Sequence, residues 1–202
     1  MRLGLFGGSF DPFHFGHLAV ARAAFESLGL DRVVVAPTAR PPHKPGRRFA
    51  PALARYAMVE IALLDEPDLV ASSLELGENA ESFTVDTIAR IRAEAAEASV
   101  ALVIGSDSLA ELHTWRRWEE ILEHNELAVV PRPGAERERV EAGLPAGLAA
   151  RLDPSRVHWL DGAWHPASAS EIRRRRAAAE PIPEGWLDQR VVTFLDKYSL
   201  YR

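Results

Sequence analysis

Gly7-Gly8-Ser9-Phe10-Asp11-Pro12-Phe13-His14-Phe15-Gly16-His17-Leu18 stands between two different hydrophobic patterns. Before it, Leu3-Gly4-Leu5-Phe6 is a short apolar run of the kind a buried strand makes. After it, Leu18, Ala21, Phe25 and Leu28 recur at helical steps of three and four. Two glycines, a turn-forming Asp-Pro and two histidines therefore occupy the junction of a strand end with a helix start. In an open α/β sheet that junction is where the ligand lies.

The position favours anions. A helix start carries unpaired backbone N–H groups and roughly half a positive charge. Gly7 and Gly8 lack a Cβ, so backbone can approach a bound group closely or take a positive φ. His14 and His17 add side-chain donors; the helix end discourages their charged form until a phosphate arrives. The reading is a phosphate-handling site. Other readings compete with it. The glycines would also suit an ordinary tight turn. His-x-x-His would also be half of a zinc site, but further ligands are needed and only Asp11 stands near. The spacing is neither the Gly-x-Gly-x-x-Gly of a dehydrogenase nor the Gly-Lys-Ser/Thr ending of a P-loop, which argues against an oxidoreductase.

A chain of 202 residues suffices for one α/β domain with a full core. No apolar run approaches the ~20 residues of a membrane span, and with the sequence entering a strand at once no signal peptide is expected. There is no cysteine, which excludes a disulfide framework and thiol chemistry and leaves the cytoplasm as the expected compartment. A formal net charge of −5 argues against a general nucleic-acid surface. The expected ligand is small, its phosphates met by local positive groups.

Strand-like and helix-like runs alternate along the rest of the chain. Arg32-Val33-Val34-Val35-Ala36-Pro37 reads as a second buried strand, and Thr38 to Pro51 as a proline-rich basic loop. From that loop Lys44 or His43 would swing towards an anion. Ala52 to Leu64 has helical spacing, with Leu53, Tyr56, Ile61 and Leu64 as its stripe, and Leu69 to Leu76 reads as a third strand. A helix then begins near Val85, with Ser82 or Thr84 as candidate cap. Val100 to Ile104 is a fourth strand closed by Gly105-Ser106-Asp107, where an acidic residue either grips ribose hydroxyls or caps a helix. Trp115 and Trp118 flank two arginines, so one is expected in the core and one free to stack on a flat ring. Glu126 to Val130 and Val157 to Leu160 complete the strands, and Glu136 to Leu152 reads as a surface helix interrupted near Pro145. Ser168-Ala169-Ser170-Glu171-Ile172-Arg173 opens another helix with spare donors, and Leu187 to Tyr198 closes the chain on a stripe of Val191, Val192 and Leu195. The alternation predicts an α/β, Rossmann-like, doubly wound parallel sheet. One domain over 1–202 is expected, a core over 1–165 and a small helical portion over 166–202.

Gly7-Gly8-Ser9-Phe10-Asp11-Pro12 with His14-x-Gly16-His17 resembles the signature of the nucleotidylyltransferase superfamily, and Ser168 to Arg173 resembles its second signature. Between them, Pro41-Pro42-His43-Lys44, Ser82-Phe83-Thr84-x-Asp86-Thr87, Ile104-Gly105-x-Asp107-x-Leu109, Thr114-Trp115 and Arg132-Pro133-Gly134 are similar to bacterial nicotinate-nucleotide adenylyltransferases. The ending Leu200-Tyr201-Arg202 is similar as well. Two positions depart mildly: Ala167 stands where a larger aliphatic residue is usual, and Ser170 where threonine is.

The resemblance implies transfer of AMP from ATP to nicotinate mononucleotide, with Mg²⁺ present. It implies that His14, His17 and Arg173 are catalytic. It implies that Gly8, Ser9, Phe10, Gly105, Asp107, Ser168 and Ser170 join them in holding ATP. For the acceptor it implies Lys44, Thr84, Val85, Trp115, Arg116 and Arg132, with Trp115 stacked on the pyridine ring. No protein ligand to the metal is implied. Three alternatives stay open: a preference for the nicotinamide mononucleotide, a pantetheine-phosphate adenylyltransferase (against which His14 and the Trp115 region count), and a non-catalytic nucleotide-binding module of the same fold.

Overall fold

Strand β1 (Arg2–Gly8) extends through both glycines and lies inside a six-stranded sheet. The computed structural model describes residues 1–39, 48–77, 83–131 and 137–202. Its further strands are β2 (Arg32–Pro37), β3 (Leu69–Ala71), β4 (Ser99–Gly105), β5 (Glu126–Val130) and β6 (Val157–Trp159). They lie in the order β3-β2-β1-β4-β5-β6, and every pairing is parallel. The chain winds outward from β1 to β3, returns to the other side of β1 as β4, and winds outward again. The connections leaving β1 and β4 therefore diverge, and the crevice between those strand ends is the ligand position of such sheets.

The helices of the first half are α1 (Phe15–Leu28), α2 (Ala52–Ala62) and α3 (Thr84–Glu94). Short helices α4 (Ser106–Glu111), α5 (Trp118–His124), α6 (Arg137–Ala142) and α7 (Ala146–Ala149) follow, then α8 (Ala169–Ala177) and α9 (Gln189–Lys197). Alternate residues of each strand feed opposite faces of the sheet. Ala101 and Val103 join one buried cluster with Leu18, Met58, Ile172, Val191 and Leu195, whereas Val100, Leu102 and Ile104 join the other with Ile88, Leu109 and Ile121. Burial on both faces is why β2 and β4 read as continuous aliphatic runs. The first cluster includes residues of α8 and α9, so the C-terminal helices share the core of the sheet.

Three local expectations need correction. The third strand stops at Ala71 rather than Leu76, because the Ser72 hydroxyl takes the Leu74 N–H (3.3 Å) and turns the chain. The stripe assigned to α2 is rotated: Arg55, Met58, Val59 and Ala62 are buried, while Leu53 and Leu64 are 73% and 66% exposed. Of the stripe on α9, Val191 and Leu195 are buried and Val192 only partly so. The segment up to Leu152 is interrupted at Pro145 as expected, forming two helices, α6 and α7.

Candidate active site

Beyond Gly8 the chain turns through Phe10, which takes a φ of 42°. Neither Gly7 nor Gly8 uses the positive φ that glycine permits. Gly8 is small for another reason: a Cβ there would lie 2.9 Å from the Phe10 ring. The Phe10 and Phe13 side chains are buried, so Phe10 can offer a ligand only backbone. Their rings form a floor for the histidines. His17 sits edge-on to Phe10 at 5.0 Å and stacks on Phe13 at 5.4 Å, and His14 stacks on His17 at 3.7 Å between centroids. The His14 backbone N–H donates to His17 Nδ1 at 3.3 Å. Neutral His17 accepting there carries its proton on Nε2, which is the tautomer that donates to a phosphate oxygen.

The His14 ring is only 8% exposed, and its Nδ1 has no hydrogen-bond partner among the described residues. A Cβ at Gly16 would come within 2.9 Å of that ring, so the glycine is what lets it tuck in. Burial, helped by the nearby His165, pushes the His14 pKa from 6.5 down to about 4. The ring is therefore neutral near pH 7, as the helix-end argument expects. Between these two values the unfolded chain binds more protons than the native one, so stability is full above the unfolded value and falls as pH drops through the interval. The shift is worth on the order of 3 kcal/mol. Denaturant midpoints measured from about pH 7 to about pH 4 should fall less steeply for His14→Asn than for the parent. Equal slopes would refute this coupling.

Asp11 draws three distant segments together. It is 1% exposed, and its Oδ1 accepts the Ala50 N–H at 3.1 Å and the Tyr201 hydroxyl at 2.7 Å. Its backbone carbonyl accepts Arg173 Nη1 at 2.5 Å, and the same nitrogen lies 3.7 Å from Oδ2. Beside it the buried Arg55 donates to three carbonyls: Nε to Ala50 (3.0 Å), Nη1 to Ser9 (2.6 Å) and Nη2 to Ala39 (3.1 Å). Burial lowers the Arg55 pKa while Asp11 opposes the shift. Sequence reasoning missed the structural roles of Asp11, Arg55 and Tyr201. Asp11 and Tyr201 lay within recognised motifs; nothing in the sequence signalled Arg55.

The second sequence motif begins at Ser168, which caps α8 by accepting the Glu171 N–H at 3.5 Å. Ser170 Oγ accepts Arg173 Nη2 at 3.1 Å. Of the four arginines in this run, Arg174 and Arg175 pair with Glu171, Arg176 pairs with Asp196, and Arg173 reaches the opening turn. One donor at the α1 start is already used, since the Phe15 N–H bonds the Trp186 carbonyl at 3.0 Å. Gly105 ends β4 beside β1, and the exposed Asp107 follows in the first turn of α4.

A second group of residues assembles around the start of α3. Thr84 is its first helical residue, not its cap, and the Val85 side chain is buried, which leaves backbone N–H groups to face a ligand. Trp115 follows a 3₁₀ turn (Leu112–Thr114), and the Arg116 guanidinium lies 4.8 Å from the Phe83 ring centroid and 3.3 Å from Asp86. These contacts carry the Trp115-Arg116 turn across the α3 start. Both Trp115 and Trp118 are partly buried on the second core cluster, so neither is the wholly free ring expected. Trp118 lies under the Arg151 guanidinium at 5.6 Å. His43, Lys44, Ser82, Arg132 and Gly134 fall outside the described residues.

The parallel sheet brings the two sequence motifs into hydrogen-bond contact near its switch point, the architecture of a Rossmann-like nucleotide-binding fold. The cytidylyltransferase-like family model matches residues 5–175. A Solibacter usitatus protein named "Probable nicotinate-nucleotide adenylyltransferase" is 41% identical over 202 residues, covering all of both chains. A Thermus thermophilus protein of the same name is 39% identical, again over the full length of both. The chain thus belongs to the nicotinate-nucleotide adenylyltransferase family, within the cytidylyltransferase-like group. Among solved structures, the Plasmodium falciparum nicotinic acid mononucleotide adenylyltransferase complexed with NaAD aligns with a TM-score of 0.78 at 16% identity, covering 99% of this chain and 97% of that one. A Vibrio parahaemolyticus structure aligns at 0.68 and 19% identity, covering 100% and 95%. These likenesses speak to the fold. No helix among the described residues is long and apolar enough to cross a membrane.

Proposed function

We propose that this chain transfers AMP from ATP to nicotinate mononucleotide, with the residues above in the following roles. The observation that carries the reading is the Arg173–Asp11 contact, which clips the second phosphate motif to the first beside the stacked histidines. The acceptor's phosphate oxygen attacks the α-phosphorus; the bond from that phosphorus to the bridging oxygen breaks, and pyrophosphate leaves with its electron pair. The attacking group is already an anion, so no general base is required. Catalysis is then positioning and charge neutralisation.

His14 and His17 hold ATP phosphates, with His17 the main transition-state donor. Ser168, Ser170 and Arg173 cradle the β- and γ-phosphates, while backbone of Gly8, Ser9 and Phe10 lines the turn. Gly105 and Asp107 hold the adenosine ribose. On the acceptor side, Trp115 stacks on the pyridine, and backbone N–H groups at Val85 and Arg116, next to Thr84, meet its carboxylate. Lys44 and Arg132 neutralise phosphate. Backbone donors accept a carboxylate and repel the NH₂ of a carboxamide, which favours the nicotinate form. Among the described residues no three His, Asp or Glu side chains are grouped as a metal cage. Mg²⁺ would arrive on the triphosphate, where it neutralises charge.

Pyrophosphate release with ATP and Mg²⁺, run side by side on the two pyridine mononucleotides, tests the reading. Faster turnover of the nicotinamide form would overturn the substrate assignment, and ATP binding without pyrophosphate would make the chain a nucleotide-binding module. Trp115→Ala should raise KM for nicotinate mononucleotide by about tenfold or more, the loss of one aromatic stack, with kcat much less affected. An unfolded variant would mark Trp115 as a core residue instead.

A further inference from the structure

The last three residues, Leu200-Tyr201-Arg202, lie far in sequence from both phosphate motifs, yet the Tyr201 hydroxyl reaches Asp11. We propose that Tyr201 is a positioning residue for adenylyl transfer, holding the Asp11 carboxylate where the opening turn, the Ala50 segment and Arg173 are joined. This deepens the functional reading above and rests on it.

The geometry of the tail supports the assignment. After α9 the Leu200 N–H bonds the Leu195 carbonyl at 3.0 Å, and Ser199 and Tyr201 take φ values of 50° and 62°. Those are left-handed conformations, which cost an L-residue on the order of 1 kcal/mol each and persist only where surrounding contacts impose them. Here the reversal packs the Tyr201 ring partly into the first core cluster and aims its hydroxyl at a buried carboxylate. Burial and the adjacent Asp11 raise the Tyr201 pKa, so the hydroxyl keeps the proton it donates. Asp11 Oδ1 has two donors, Ala50 and Tyr201, and Ala50 in turn is held by Arg55, which also holds Ser9. Removing the hydroxyl leaves that oxygen with a single donor, while the Asp11 carbonyl still carries Arg173. The side chain is then free to tilt, and the Arg173 guanidinium tilts with the turn it grips.

Tyr201→Phe removes the hydroxyl and keeps the ring. The expected result is a KM for ATP raised by about tenfold, the size of one buried hydrogen bond to a charged group, with KM for nicotinate mononucleotide unchanged. ATP affinity measured by calorimetry should weaken in parallel. Arg202→Ala serves as the control: it removes an exposed pair with Asp196 from the same tail and should match the parent. A Tyr201→Phe variant with parental constants for ATP overturns the proposal. So does one that merely melts earlier and loses active fraction while KM and Kd for ATP stay put. If the parent binds ATP but adenylylates neither pyridine mononucleotide, the functional reading fails, and the calorimetric comparison still judges Tyr201 by itself.

Discussion

His17→Ala is expected to lower kcat for adenylyl transfer by about two to three powers of ten while leaving the protein folded, the effect of deleting one preorganised donor to a developing charge. The expectation follows from how the imidazole is held. Phe10 and Phe13 wall it, His14 covers one face, and the His14 N–H occupies Nδ1. The ring thus spends none of its orientation at the moment of reaction, and its remaining nitrogen is the donor. Two charged imidazoles stacked at 3.7 Å would repel, and the burial of His14 already holds that partner neutral. His17 therefore acts as a neutral donor through Nε2 while Nδ1 stays engaged by the His14 N–H. Loss of the ring costs aromatic contacts worth about 1 kcal/mol, too little to unfold a domain of this size. Steady-state kinetics with a melting curve on the same sample checks both halves. Turnover within a few-fold of the parent would remove His17 from the mechanism.

The elements that frame the candidate site were largely legible in the sequence, and the contacts that were not share one cause. The strand-glycine-helix junction, the second motif at Ser168 and the Gly105-x-Asp107 strand end announce themselves locally, because each is a run of a few residues whose types suit one geometry. The six strands were legible for the same reason: a parallel sheet buried on both faces writes continuous aliphatic runs. Arg55 was invisible. Periodicity places an arginine on the solvent face, and that assumption rotated the α2 stripe onto Leu53 and Leu64, both exposed in the fold. The burial of Arg55 depends on three carbonyls supplied by Ser9, Ala39 and Ala50, none of which has a side-chain signature. The contact between Tyr201 and Asp11 spans 190 residues of sequence, beyond what any local pattern encodes. Trp115 and Trp118 were misjudged for a related reason. The rule that one ring must be core and one free ignores partial burial, which both adopt on the same cluster.

Arg55→Met should be the most destabilising single change among these residues, lowering the free energy of unfolding by about 3–5 kcal/mol. Methionine fills much of the same volume, so the loss is electrostatic and not a cavity. It strands the Ser9, Ala39 and Ala50 carbonyls, each of which costs about 1–3 kcal/mol when buried without a donor, less whatever relaxation recovers. It also takes a neighbouring positive charge from the buried Asp11 carboxylate, whose ion pair with Arg173 at 3.7 Å stays. Arg55→Lys separates the two contributions. An ammonium restores the charge but lacks the planar fork that serves three carbonyls at once, so its denaturation midpoint should fall between parent and Arg55→Met. Asp11→Asn combined with Arg55→Met should cost less than the sum of the single changes, since with Asp11 neutralised the loss of Arg55 no longer weakens the compensation of a buried charge. The exposed Arg22–Glu66 pair gives the contrast. It is also close in geometry, yet water already solvates the 54%-exposed Arg22 side chain, and Arg22→Ala should shift the unfolding free energy by less than about 1 kcal/mol. Urea midpoints for these variants decide the matter. An Arg55→Met protein with the parental midpoint would mean that the buried guanidinium holds nothing together, and the opening turn would need another anchor.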